Sequence, residues 1–345
     1  MSDTGSATAP GVDERADVPD GLIDSYGRVA KDLRISITDR CDLRCTFCMP
    51  AEGLEWLARD LLLTYEEIER LARLLVGLGI TSIRLTGGEP LMRPHLDDLV
   101  SRLSRLGLED LSLTTNGTTL GRHAQRLADA GLSRVNVSLD SLLSHRFAEM
   151  TRRDGLAKVL DGIDAAQRAG LTPVKVNCVV VAGTNDDEIL DFAEFARRTG
   201  CDVRFIENMP LGGGDGWVPD AVMPSAEVLA RIDAHHPLVG LARDAQPASS
   251  YAFADGSPGR VGVIASVTEP FCEQCDRLRL TSDGFLRTCL FAHTETDLRT
   301  PLRGGASDSE LRAIIREAVS AKGPGHAIGQ QRFEQPVRLM SRIGG

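Results

Sequence analysis

No apolar run in this 345-residue chain reaches bilayer length, so the sequence predicts no membrane span. The N-terminus lacks the positive start and apolar core of a secretory signal, and a cytoplasmic protein is expected. Positive charge is in short supply: 39 Lys and Arg stand against 49 Asp and Glu, for a net charge of −10. That deficit excludes a broad nucleic-acid-binding surface. A few arginines converging in a cleft can still hold an anionic small molecule. Eight cysteines fall in clustered, unequal groups rather than a disulfide framework, which fits a reducing compartment and metal binding. Strict solenoid repeats are missing, as is any low-complexity stretch after the first 25 residues.

What is present is organised around Cys41, Cys45 and Cys48, with three and then two residues between them. Such thiolates can converge on one soft metal centre, an iron–sulfur cluster or zinc. A closed structural zinc site wants four ligands, and so does a fully protein-ligated cubane. Three cysteines on a [4Fe–4S] cluster leave one iron open to a small molecule. Cys272, Cys275 and Cys289 form a second triplet, again without a fourth cysteine. Two incomplete sites suggest two [4Fe–4S] clusters that each hold something. His293, four residues after Cys289, leaves a three-cysteine, one-histidine zinc site open as the alternative. Cys178 and Cys201 sit in apolar runs and read as small core residues.

Residues 1–25 are rich in Asp, Ser, Ala, Thr, Pro and Gly without apolar periodicity, and predict a disordered leader. Strands are expected at 33–37, 82–86, 110–113, 134–139, 173–181 and 202–206. Helices are expected between them, near 95–106, 121–130, 156–169 and 186–199, and one opening on a capping box from Thr64 to Glu67. Six strand-then-helix steps imply a parallel sheet with right-handed crossovers. A flat doubly wound sheet shares this pattern. Here every strand delivers cysteine, glycine or polar residues at its C-terminal end, as a barrel's active face does. The fold expected is α/β: a partial, six-unit βα TIM-type barrel over residues 26–210. The C-terminal region, 211–345, opens on a glycine-rich breaker at 212–216, carries the second triplet and ends in Gly344-Gly345.

The first triplet, with Phe47 before its last cysteine, resembles the radical S-adenosylmethionine superfamily. Gly87-Gly88-Glu89-Pro90 resembles that superfamily's motif for the methionine amino group. The stretch from Thr268 to Leu280, with Cys289 and the terminal glycines, is similar more narrowly to the GTP 3′,8-cyclases, which open molybdenum cofactor biosynthesis. The likeness runs from residue 33 to 345. It implies that Cys41, Cys45 and Cys48 hold a cluster whose free iron binds S-adenosylmethionine, contacted also by Phe47, Gly88, Ser138 and Met209. Cys272, Cys275 and Cys289 would hold an auxiliary cluster facing the guanine. Arg34, Arg84, Thr115, Lys175, Arg277, Leu278 and Arg279 fall at GTP-contact positions, and Arg277, Arg279, Gly344 and Gly345 at catalytic ones. The resemblance further implies a homodimer, an electron donor for cluster reduction, and cyclic pyranopterin monophosphate synthase as downstream neighbour.

Residue chemistry agrees with these roles. Guanidinium groups grip phosphate oxygens in pairs, and residues two apart on an extended segment share a side. That aligns Arg277 with Arg279, and Lys175 with Asn177. Glu207 and Asp140 read as residues that orient neighbours, and Glu89 also as a helix N-terminal carboxylate.

Overall fold

Apolar side chains alternate along the first four strands and recur every three or four residues along the longer helices, and the two patterns interlock as one sheet under helices. The computed structural model describes residues 21–211, 217–242, 247–328, 330, 333–336 and 338–344. Residues 1–20 of the expected leader, the 212–216 breaker and Gly345 therefore lie outside the described residues, whereas 21–25 are ordered, because Leu22 is buried in the core and Asp24 pairs with Arg28.

Strands β1 (Asp32–Ser36), β2 (Ser82–Thr86), β3 (Asp110–Thr115), β4 (Arg134–Ser138), β5 (Lys175–Val180) and β6 (Asp202–Glu207) come first. Their crossovers carry α1 (Tyr65–Val76), α2 (Leu96–Ser104), α3 (Leu120–Asp129), α4 (Ser144–Thr151), α5 (Leu156–Arg168) and α6 (Ile189–Thr199). The capping box of α1 is in place, with Thr64 and Glu67 each satisfying the other's backbone N–H. Then follow α7 (Ser225–Asp233), β7 (Leu238–Gly240), β8 (Ser249–Phe253), β9 (Arg260–Ile264), β10 (Arg277–Leu280), β11 (Phe285–Arg287) and β12 (Thr296–Asp297). Helices α8 (Arg299–Arg303), α9 (Asp308–Ser320) and α10 (Met340–Ile343) close the chain.

The sheet runs in the order β12-β11-β10-β1-β2-β3-β4-β5-β6-β9-β8-β7. The expected partial barrel is present, and residues beyond 210 extend it on both sides. β9 pairs parallel with β6, and β10 parallel with β1. The sheet stays open, with β12 and β7 as its edges. Leu33 and Ile35 turn to the helices and are fully buried, while Arg34 between them turns inward. The concave face is thus polar where a closed barrel would be filled by apolar layers. Cys178 and Cys201 are buried in the main core, as read from the sequence.

α4 was not expected. Its N-cap, Leu143, offers no side-chain cap, so no local signal marks its start. Tertiary contacts secure its end instead, as described below. Among the described residues no helix is long and apolar enough to cross a membrane.

Candidate active site

A cavity of about 280 Å³ opens at the C-terminal ends of the strands, and all six cysteines of the two triplets line it. The loop after β1 holds its own shape: the Cys48 and Met49 N–H groups both donate to the Cys45 carbonyl, at 3.0 and 3.1 Å. It docks on α4, whose Met150 and Thr151 carbonyls accept from the Thr46 and Arg44 N–H groups at 2.9 Å. A helix's last carbonyls have no partner within the helix, so the loop satisfies α4 while α4 fixes the loop. Arg152 adds bonds to the Arg44 and Met49 carbonyls, at 3.0 and 3.1 Å.

Gly88 passes directly under this loop. A Cβ there would lie 2.6 Å from the Asp39 carbonyl oxygen, so a side chain would push the strand end away from the cysteines. The neighbouring Glu89 ties the ends of β2 and β3 together. It accepts from Leu91 N at 2.9 Å, Thr115 Oγ1 at 2.7 Å and Asn116 N at 2.7 Å. Burial pushes its carboxyl up to about 7, against the downward pull of those donors. Glu89 also caps the short turn of 3-10 helix at Pro90–Met92, as the helix N-terminal reading of it expected. Asp140, likewise pushed up to about 7 by burial, accepts from Val179 N at 2.8 Å. Glu207 accepts from the Ser225, Val267 and Thr268 N–H groups at 2.9, 2.7 and 2.9 Å, fixing the approach to the second triplet. Asp140 and Glu207 therefore orient neighbours.

The same cavity has a basic floor. Strand register sets Arg34 beside Arg279 on one side and beside Arg84 on the other. These three, with Arg277 and Arg204, line the cavity. Burial, then the Arg277 charge, holds the Arg279 guanidinium down at about 10. Arg34 is pushed well below its ordinary value by burial and by Arg279 and Arg84. Its Nε is buried without a hydrogen bond, 3.9 Å from the Asp32 carboxylate. Crowded like charges cost free energy, and an anion seated among them would offset that cost. Phe271 stacks on the Arg277 guanidinium, 4.7 Å from ring centre to carbon.

Phe47, Thr115, Ser138 and Met209 also line the cavity. Lys175 is buried one row deeper, level with Asn136 and Asp202, and is not part of the wall. Leu278 turns its side chain into the apolar core, because strand neighbours alternate, and only its backbone is available. The chain's end returns to the site: Met340 and Ser341 line it, and the Gly344 carbonyl accepts from Arg279 Nη1. Gly344 has φ +85°, and a Cβ on it would run into Thr86 Oγ1.

All six cysteines are free thiols, the donor type that iron–sulfur clusters take. His293 is exposed and does not line the cavity. The histidine beside the second triplet is His326, far away in sequence. Sequence reasoning also missed Arg204, Asn116 and α4. Arg204 carried a signal, since its β6 position alternates in phase with Ile206.

Two family models divide the chain between them. One described as Radical SAM superfamily matches residues 35–196, and one described as Molybdenum Cofactor Synthesis C matches residues 201–328. A GTP 3′,8-cyclase of Corynebacterium glutamicum is 48% identical over 336 residues, covering 94% of this chain and 89% of the relative. One of Streptomyces coelicolor is 51% identical over 329 residues, covering 94% and 96%. Streptococcus suis SuiB bound to S-adenosylmethionine matches with a TM-score of 0.57 at 15% identity, over 84% of this chain and 67% of that one, a likeness of fold. At such identity over nearly the whole length, the chain belongs to the GTP 3′,8-cyclase family of the radical S-adenosylmethionine superfamily.

Proposed function

We propose that this chain cyclises GTP to (8S)-3′,8-cyclo-7,8-dihydroguanosine 5′-triphosphate, the first step of molybdenum cofactor biosynthesis. One observation carries the reading: two cysteine triplets and a row of arginines line a single cavity. Cys41, Cys45 and Cys48 would hold the cluster that binds S-adenosylmethionine, with Phe47, Gly88, Ser138 and Met209 around that cofactor. Cys272, Cys275 and Cys289 would hold the auxiliary cluster. When bound, these groups supply one-electron reduction and a carbon radical able to take hydrogen from C3′ of the nucleotide.

The chain's own residues bind and orient. Arg34, Arg84, Arg277 and Arg279 grip the triphosphate, which carries about four negative charges, through charge-assisted bonds. Thr115 and the backbone of Leu278 complete the substrate's surroundings, and Lys175 supplies charge from the row beneath. Held at its triphosphate end, the nucleotide is oriented for hydrogen loss from C3′ and bonding of C3′ to C8. Positioning of this sort is worth several kcal/mol of barrier. Gly344, bonded to Arg279, keeps the guanidinium row aligned, and a catalytic role for Gly345 belongs to the same reading. We place the protein in the cytoplasm as a homodimer, served by an electron donor and followed by cyclic pyranopterin monophosphate synthase.

Anaerobic incubation with S-adenosylmethionine, dithionite and GTP tests this reading. Expected products are 5′-deoxyadenosine and a nucleotide of unchanged mass, each requiring the other substrate. Deoxyadenosine without nucleotide conversion would keep the radical chemistry and reject GTP. Neither product, with iron bound at both sites, would reject the enzyme as described.

A further inference from the structure

Lys322, just beyond α9, is buried. An ammonium has three donors and no acceptor, and here each finds a partner at the second cysteine loop. They are the Cys275 carbonyl at 2.8 Å, the Arg277 carbonyl at 3.2 Å and the Cys275 sulfur at 3.8 Å. The same turn is held from its other side. Arg28 donates to the Cys272, Pro324 and Gly323 carbonyls at 2.9, 3.0 and 2.6 Å. Gly325 packs so closely on Cys272 that a Cβ would lie 2.7 Å from its sulfur.

The two cations differ in one respect. Arg28 has a carboxylate of its own, Asp24, at 2.6 Å. Among the described residues Lys322 has no carboxylate within ion-pair distance, and Asp276 attracts it from farther off. A buried charge without a counter-ion is unfavourable, and the sulfur it touches is the group able to carry that counter-charge. The first triplet is arranged differently. There the side chain that hydrogen-bonds a cysteine sulfur is the neutral amide of Asn116, 3.9 Å from Cys41 and also bonded to Asp42 at 2.7 Å.

Hydrogen bonds and charge at a cluster's sulfurs set its reduction potential, because a cation beside a thiolate favours the reduced, more negative state. We propose that Lys322 is the charge partner of the second cysteine site, and that its ammonium raises the reduction potential of an iron–sulfur cluster held there. Lys322 acts through Cys275 and is a positioning residue. The inference rests on the reading that Cys272, Cys275 and Cys289 hold a cluster.

The test uses the full chain with Cys41, Cys45 and Cys48 changed to Ala, reconstituted with iron and sulfide without oxygen, so that only the second site gives a signal. A mediated redox titration followed by electron paramagnetic resonance reads its midpoint. Lys322→Gln keeps donors for the carbonyls and drops the charge; its midpoint should shift to lower potential. Lys322→Arg should hold the midpoint near that of the parent. An unmoved midpoint in Lys322→Gln with iron bound overturns the inference. So does loss of iron from both variants, which would leave Lys322 as a mere support of the loop. Failure of the parent chain itself to bind iron would instead reject the cluster reading.

Discussion

Arg279 on β10 donates to the backbone carbonyl of Gly344, 65 residues later in the chain. The bond ties the basic floor of the cavity to the C-terminal tail, and two consequences follow for substitutions at its ends. Gly344 sits at φ +85° against Thr86 and Ser36, where no side chain fits. Gly344→Val, or removal of residues 344 and 345, should suppress turnover at least about tenfold while iron content stays unchanged. A hydrogen bond to a charged group, worth roughly 1.5–3 kcal/mol, is lost in either case. Single-turnover kinetics with iron analysis check this, and full activity would refute it.

Arg277→Ala should weaken GTP binding strongly. Loss of one charge-assisted contact corresponds to roughly ten- to a hundredfold in Kd. S-adenosylmethionine binding should change little, because Arg277 begins β10 beside Cys275 of the second triplet. Equilibrium binding of each ligand separates the two effects. Equal losses for both would mean that the variant has disturbed the whole cavity.

Arg338 anchors the tail from outside the site. It donates to both Asp283 oxygens at 2.9 Å and to Glu295 Oε1 at 2.6 and 3.0 Å, with Phe285 beneath it. Arg338→Ala should release the tail and leave Asp283 and Glu295 without this partner. Turnover should fall several-fold with GTP affinity nearly intact, and amide exchange at residues 339–344 should quicken. Unchanged exchange would show that the tail is held elsewhere.

Lys175 gives the protein a stability term that depends on pH. Burial, then Arg204 and Arg134, push its ammonium down from 10.5 to about 7. Between those values the unfolded chain binds a proton that the folded one has shed, so stability should rise with pH across that window. Below about pH 7 both states are protonated and the full burial penalty is felt. Lys175→Met should raise the melting temperature near neutral pH and flatten the rise above it. Parallel melting curves for the two proteins from pH 7 to 10 would contradict this.

Several elements were legible because their causes are local. The Thr64 capping box, the alternation around Leu33 and Ile35, and the cysteine spacing of the first triplet each report a nearest-neighbour rule. They gave the strand–helix repeat and the place of the first triplet on the loop after β1. α4 was invisible because its stabilising partners, the Arg44 and Thr46 N–H groups, lie about a hundred residues earlier. Lys322 and Arg338 were invisible for the same reason: each is an ordinary surface-type residue until the fold buries it beside Cys275 or Asp283. Leu278 shows the converse, since a motif position says nothing about which way a side chain faces.

The sequence alone determined which chemistry the chain can do, because thiol triplets and paired arginines are properties of residue type and spacing. Tertiary structure decided that the two triplets share one cavity. It placed β10 against β1 and β9 against β6, carrying the second triplet and Arg279 back to the first strand. Long-range pairing of this kind depends on strand register and burial across the whole sheet, which no local window of sequence contains.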